Sequence, residues 1–284
     1  MSIKRVGIVG SGIMGSGIAE VAAAAGHEVV LRSRSQSSAD AMVEGLSKSL
    51  AKQVEKGKRT EDEAKEIAGR VRATTHLGEL VDVDLVIESV VEDLDVKRDL
   101  FRELDSICKP ETIIATNTST LPVVEMAMST ERADLVCGIH FFNPAPAMAL
   151  VEVVRPITAS DATVEAALAF AGACGKEPVE VKDQAGFIVN ALLFPYLNNA
   201  VRLLEQGVAS KEGIDTAMKG GCGFPMGPFA LLDLVGLDTS LAILDALYAE
   251  FRDPNYAAVP LLRRLVTSGQ LGRKTKKGFY DYNR

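Results

Sequence analysis

The spacing Gly10-x-Gly12-x-x-Gly15, set directly behind the apolar run Val6-Gly7-Ile8-Val9, narrows what this chain can fold into more than any other feature. A short apolar run, then glycines, then the small and apolar stretch 18–25 reads as strand, tight turn and helix. Gly10 permits the turn, Gly12 lets the backbone approach a pyrophosphate, and Gly15 lets helix and strand pack closely. The free N–H groups and dipole of the helix N-terminus favour a phosphate there. The bare spacing is a weak signal, because glycines also mark ordinary turns. The strand before it and the helix after it, which Gly26 can end, turn it into a dinucleotide-binding pattern. Gly10, Ser11, Gly12, Ile13, Met14 and Gly15 are therefore expected to face a nucleotide.

With 284 residues, 47% of them hydrophobic and 24% charged, the chain can bury a sizeable core in one large domain or two. Its net charge of -7 argues against a nucleic-acid partner, which would need a basic face. No apolar run approaches the ~20 residues that span a bilayer, so no membrane partner is expected. The first strand begins almost at once, so no targeting segment is expected. Cys108, Cys137, Cys174 and Cys222 form no CxxC pair. Reduced thiols in a cytoplasmic protein without a metal site are the expectation.

Strand and helix patterns alternate as far as residue 182. Strands are expected at 28–31, 71–74, 84–88, 112–116, 135–139, 150–154 and 179–182, with helices at 39–56, 61–71, 96–107 and 161–174. Pro122 is placed as the first residue of a short helix. The alternation predicts an α/β fold, a doubly wound, mostly parallel sheet of Rossmann type. The helices at 39–56 and 61–71, broken at Gly57 and with Thr60 and Glu63 as a capping box, read as an antiparallel pair projecting from the sheet. Lys48, Lys52 and Lys56, four apart, line one face of it beside Ser49. Such a stripe is usually a solvated surface, but in an acidic protein it can also dock an anion. The composition changes at Asp183. Helices follow at 186–206, kinked at Pro195, and at 211–218, 227–235, 239–251 and 260–267, with a strand only in the tail at 278–280. Residues 1–183 thus form a dinucleotide-binding domain, and 184–284 an all-α domain whose surplus of apolar faces suits a subunit interface.

Ligands of such sheets sit at the carboxyl ends of the strands, where the glycine turn, Asn117, Ser119 and His140 should converge. His27 and His76 lie in turn and loop sequence. His140 ends a strand and opens the turn Phe141-Phe142-Asn143-Pro144. Glu152 stands inside the apolar run Leu150-Val151-Glu152-Val153-Val154, where a carboxylate is unfavourable without a partner. A hairpin would set it against the His140 ring, fix the tautomer and stabilise the imidazolium. Beside a nicotinamide, such a base removes a hydroxyl proton as hydride leaves carbon. Ser119 and Asn190, the latter in the apolar helix start Phe187-Ile188-Val189-Asn190, could hydrogen-bond the reacting oxygen.

Together these segments resemble the L-3-hydroxyacyl-CoA dehydrogenase family, in particular its short bacterial 3-hydroxybutyryl-CoA members. The resemblance runs from Gly10–Ala19 through Val90-Val91-Glu92-Asp93, Asn117-Thr118-Ser119, His140–Pro144, Leu150-Val151-Glu152, Gly186–Asn190 and Met226-Gly227-Pro228 to Gly278-Phe279-Tyr280. It implies NAD(P)-linked interconversion of a (3S)-3-hydroxyacyl-CoA and its 3-oxoacyl-CoA, in fatty-acid or C4 metabolism. It makes His140 the base, Glu152 its partner, and Ser119 and Asn190 the holders of the substrate oxygens. Glu92, Lys97, Asn143 and Lys274 fall where the family contacts the nucleotide, and Ser49 and Lys56 where it contacts the CoA moiety. It also implies a homodimer formed through the C-terminal helices. Two positions depart from the pattern. Thr120 replaces a serine but keeps the hydroxyl. Ser33, within Arg32-Ser33-Arg34, stands where the second strand normally ends in an acidic residue that bonds the ribose 2′-OH. That exchange points to NADP rather than NAD, with Arg34 placed to meet a 2′-phosphate.

Overall fold

A computed structural model of the chain describes residues 3–283 and divides it into two compact units that meet between Asp183 and Gln184. In the first, β1 (Arg5–Val9), α1 (Ile13–Ala24), β2 (Glu28–Arg32), α2 (Gln36–Glu55), α3 (Glu61–Gly69) and β3 (Val71–Thr74) come in order. They are followed by β4 (Leu85–Glu88), α4 (Leu94–Ile107), β5 (Ile113–Thr116), α5 (Val123–Ala127), β6 (Val136–Phe141), β7 (Leu150–Arg155), α6 (Asp161–Ala173) and β8 (Glu177–Lys182). The eight strands form one sheet in the order β3-β2-β1-β4-β5-β6-β7-β8. Every pairing is parallel except that of β6 with β7. Strands β4 and β5 are buried along their whole length, as expected of a parallel sheet covered by helices on both faces.

Five local differences from the sequence reading have simple physical reasons. Strand β6 runs on to Phe141 and takes His140 into its interior. Its parallel partner β5 stops at Thr116, opposite Gly138, but β7 goes on pairing and sets His140 directly across from Glu152. Pro122 is the N-cap of α5, not its first residue; the next two N–H groups, of Val123 and Val124, donate to the Asp183 carboxylate at 3.0 and 2.7 Å. The α2–α3 pair does not project freely. Met42, Leu46, Leu50 and Ile67 join the core of the sheet, and Gln53 Nε2 donates to the buried Glu20 of α1 at 2.7 Å. The capping box at Thr60 and Glu63 is formed in both directions.

The second unit contains α7 (Val189–Glu205), α8 (Lys211–Cys222), α9 (Pro228–Val235), α10 (Leu237–Phe251) and α11 (Pro260–Thr267), packed on Phe194, Leu197, Phe229, Leu232 and Leu244. Helix α7 starts later than expected, because Gly186 and Phe187 adopt positive φ (73° and 49°) before it. The fifth difference is the tail, which is a turn and not a strand. Phe279 and Tyr280 donate their N–H groups to the buried Asp233 carboxylate at 2.8 Å each, and the Tyr282 hydroxyl joins them at 3.0 Å. A side chain at Gly278 would collide with the same carboxylate. Among the described residues no helix is long and apolar enough to cross a membrane.

Candidate active site

Strands β1, β4, β5 and β6 lie side by side and parallel, so the loops after them open on one edge of the sheet. At the end of β1, Gly10 has φ +114°. A Cβ there would stand 2.3 Å from the Ser89 carbonyl oxygen, and one on Gly15 would stand 1.8 Å from that of Gly10. Both positions therefore require glycine. A Cβ on Gly12 would meet nothing within 4 Å, so bare backbone faces open space at the N-cap of α1. That combination fits a pyrophosphate, which needs close approach to backbone N–H groups and the positive end of a helix.

Two and three strands along the sheet from β1, the ends of β5 and β6 supply the polar groups. His140 Nδ1 lies 2.8 Å from Glu152 Oε2, with both side chains buried. Its other nitrogen, Nε2, is 3.0 Å from Ser119 Oγ. The carboxylate assigns the ring proton to Nδ1, which leaves Nε2 as the acceptor toward the hydroxyl. Asn117 ties the two loops together: its Oδ1 accepts the Phe141 N–H at 2.8 Å, and its Nδ2 donates to Ser89 Oγ at 3.4 Å. The Phe142 ring packs against the imidazole at a centroid distance of 4.6 Å.

A third group of side chains, with Glu88 and Lys97 buried and Glu92 exposed in the loop after β4, went largely unread in the sequence. Glu88 is fully buried, and both of its carboxylate oxygens accept from Lys97 Nζ at 2.9 Å. The same ammonium lies 3.2 Å from Glu92 Oε2. Glu88 also accepts the Val90 N–H and the Thr116 hydroxyl. Glu92 Oε1 accepts the Thr118 hydroxyl and the N–H groups of Ser119 and Thr120. Burial alone would raise the Glu92 carboxyl, but Lys97 and the donors from Thr118 and Ser119 pull it below the ordinary carboxylate range. The signal for Glu88 was present: an acidic residue closing the apolar run Leu85-Val86-Ile87 requires a partner for the same reason as Glu152.

At the end of β2, Ser33 is buried and its hydroxyl has no hydrogen-bond partner, as is true of Arg32 Nε. Arg34 is exposed, and the first turn of α2, capped by Ser35, contains no acidic residue. Ser49 lies on α2, and Lys56 is the C-cap of that helix. Lys48 is paired with Glu44. Asn143 is exposed in the turn after β6. The first unit thus brings together the glycine turn, Asn117, Ser119, His140, Glu152, Glu92 and Lys97. Asn190 and Lys274 belong to the second unit. Asn190 is buried in the first turn of α7, and Lys274 Nζ is paired with Asp238 at 2.5 Å. Among the described residues, no group of three or more His, Cys, Asp or Glu side chains could hold a metal ion.

Comparison with known proteins gives a consistent picture. Residues 5–184 match the pattern of the 3-hydroxyacyl-CoA dehydrogenase NAD-binding domain, and residues 186–282 that of the 3-hydroxyacyl-CoA dehydrogenase C-terminal domain. The chain is 49% identical to a 3-hydroxybutyryl-CoA dehydrogenase of Clostridioides difficile, over 99% of this chain and 100% of that protein. It is 44% identical to the human mitochondrial hydroxyacyl-coenzyme A dehydrogenase, over 99% of this chain and 91% of that one. The crystal structure of the (S)-3-hydroxybutyryl-CoA dehydrogenase of Ralstonia eutropha superposes with a TM-score of 0.97, at 43% identity and with both chains fully covered.

Proposed function

The chain belongs to the 3-hydroxyacyl-CoA dehydrogenase family, and on that premise we propose that it interconverts (3S)-3-hydroxybutyryl-CoA, or a related (3S)-3-hydroxyacyl-CoA, and the corresponding 3-oxoacyl-CoA. The observation that carries this reading is the line Glu152–His140–Ser119, with 2.8 Å and 3.0 Å links, at the same sheet edge as the glycine turn. His140 Nε2 takes the proton of the substrate hydroxyl. Glu152 holds Nδ1 and stabilises the imidazolium that forms, and in the reverse direction the ring returns the proton to the oxygen. The Ser119 hydroxyl, already within reach of Nε2, bonds the reacting oxygen, and Asn190 is its second holder. A bound nicotinamide supplies the acceptor for the hydride from carbon. Gly10–Gly15, Asn117, Asn143, Glu92 and Lys97, and by the family pattern Lys274, would hold its nucleotide. Ser49 and Lys56 take the CoA moiety. A homodimer formed through the C-terminal helices, a cytoplasmic location and a place in fatty-acid or C4 metabolism complete the proposal.

NADP is the cofactor this reading favours, with NAD as the weaker alternative. The buried hydroxyl of Ser33, which lacks a partner, stands where an acidic residue would repel a 2′-phosphate, and Arg34 follows it with an exposed guanidinium. The test is turnover of acetoacetyl-CoA and of longer 3-oxoacyl-CoAs, each with NADPH and with NADH. Rapid reduction of acetoacetyl-CoA, with the larger kcat/KM for NADPH, is expected. No turnover of any 3-oxoacyl-CoA would overturn the assignment, and a preference for NADH would overturn the cofactor choice alone.

A further inference from the structure

Strands β6 and β7, which set His140 opposite Glu152, are joined by the stretch 142–149. A two-residue turn fixes a hairpin by its own geometry, but so long a connection does not, and a group outside it has to. Residues 143, 144 and 146–149 are exposed, with Ala145 buried between them. Within the turn, the N–H groups of Ala147 and Met148 both donate to the Pro144 carbonyl, at 3.0 and 3.1 Å. The outside group comes from the far end of α6. Lys176 Nζ donates to the Ala145 carbonyl oxygen at 2.7 Å and to that of Met148 at 2.8 Å. Two carbonyl dipoles aimed at one point repel each other unless a positive charge stands between them, and the ammonium is that charge. Backbone geometry sets Lys176 in turn. Helix α6 ends at Gly175 with φ 70°; Gly175 N–H donates to Gly172 at 2.9 Å and Lys176 N–H to Ala171 at 3.1 Å, the two bonds of a Schellman ending. The next residue, Glu177, opens β8 and donates its N–H to the Ala149 carbonyl at 2.8 Å.

We propose that Lys176 is a positioning residue: its ammonium closes the β6–β7 turn, and the closed turn holds Phe142 and Asn143 at the site. This rests on the reading of His140 as the base and Asn143 as a nucleotide contact. The Phe142 ring lies 4.6 Å from the imidazole, centroid to centroid, so the start of the turn touches the base. The middle of the turn is seated on α1, the helix whose N-terminus faces the pyrophosphate. A Cβ on Gly17 would stand 3.2 Å from the Ala145 Cβ and 3.3 Å from Pro146 Cδ. One turn thus spans from the base to the cofactor helix, and Lys176 sets its shape. Without the ammonium the two carbonyls turn out toward water, and the turn lifts from Gly17 while the β6–β7 ladder stays paired.

The experiment measures kcat with acetoacetyl-CoA and amide exchange by mass spectrometry for Lys176→Met, Lys176→Arg, Phe142→Ala, and Lys176→Met combined with Phe142→Ala. His140→Gln is the control for the site. Misplacement of site groups by a fraction of an ångström lowers turnover roughly 10-fold, and Lys176→Met is expected to lose that much kcat. Exchange should quicken in 142–149 while β6, β7 and α6 exchange as in the wild type. Lys176→Arg, which keeps the charge and can donate to both carbonyls, should restore most of kcat and the slow exchange. In the Phe142→Ala background Lys176→Met should change kcat little, because both act through one turn. Unchanged exchange in 142–149, or wild-type kcat once the turn has loosened, would overturn the proposal. So would losses that multiply across Lys176 and Phe142. Faster exchange throughout the first unit would make Lys176 a stabiliser of the fold and nothing more, and would overturn it too. Full turnover in His140→Gln would strike at the reading of the site itself; a loss there with none in Lys176→Met would overturn the role of Lys176 alone.

Discussion

The roles proposed for His140 and Glu152 follow from the opposite ends of one hydrogen bond. The carboxylate fixes which nitrogen carries the proton, and the other, which faces Ser119, is the one proposed to take the substrate proton. Replacing either by glutamine should leave cofactor binding nearly intact and lower kcat by about 10²–10⁴, the usual loss when a general base is removed. Steady-state kinetics with a parallel cofactor titration would check this, and near-wild-type turnover would take the dyad out of the mechanism. The cofactor choice proposed above is equally local: Arg34 would act by its charge and Ser33 by the absence of one. A charge-assisted bond contributes roughly 1.5–3 kcal/mol, which corresponds to about a ten- to a hundredfold preference for a phosphate-bearing cofactor. The double variant Ser33→Asp, Arg34→Ile is expected to shift the ratio of kcat/KM toward NADH by that order, and a ratio that does not move would remove both residues from cofactor choice. Glu152 was legible in the sequence because a carboxylate in an apolar strand demands a partner. The partners of Lys97 were not, because a lysine on an amphipathic helix looks like any solvated lysine until the loops above it are in place.

Among the elements, the pairing of β6 with β7 matters most. It is the single antiparallel ladder in the sheet, and its register puts residues 140 and 152 opposite each other. Alternation in the sequence shows that two strands exist, but only the turn between them fixes how they slide, and a slip of one residue would turn Glu152 to the other face. The α2–α3 pair shows the complementary case. Its helical period and capping box were readable, whereas its attachment through Gln53 and Glu20 depends on two residues 33 apart in sequence. That attachment steadies the stripe bearing Ser49 and Lys56. Lys56→Ala should raise KM for the CoA thioester about two- to fivefold with kcat unchanged, in keeping with one exposed ion pair. The effect should fade at high ionic strength, because exposed charges are screened. An unchanged KM at low salt would show the stripe to be an ordinary solvated face.

At the scale of the whole molecule, two buried carboxylates do for the second unit what Glu88 does for the first. Asp215 accepts the N–H groups of Phe229 and Ala230 that open α9, together with the Tyr280 hydroxyl. Asp233 collects the N–H groups of Phe279 and Tyr280 and the Tyr282 hydroxyl, and so folds the tail back on the helices. The tail reads as a strand in sequence because Gly-Phe-Tyr has strand-like residue types. The acceptor that makes it a turn lies 46 residues away, where no local pattern could reveal it. By itself the sequence determined the layer order, the glycine turn and the residue types at the sheet edge, because these follow from backbone sterics and from the short-range periods of strand and helix. The tertiary structure alone decided which buried charge meets which, that Lys97 lies against two carboxylates, and how far β6 extends, because burial and pairing depend on neighbours that are distant along the chain.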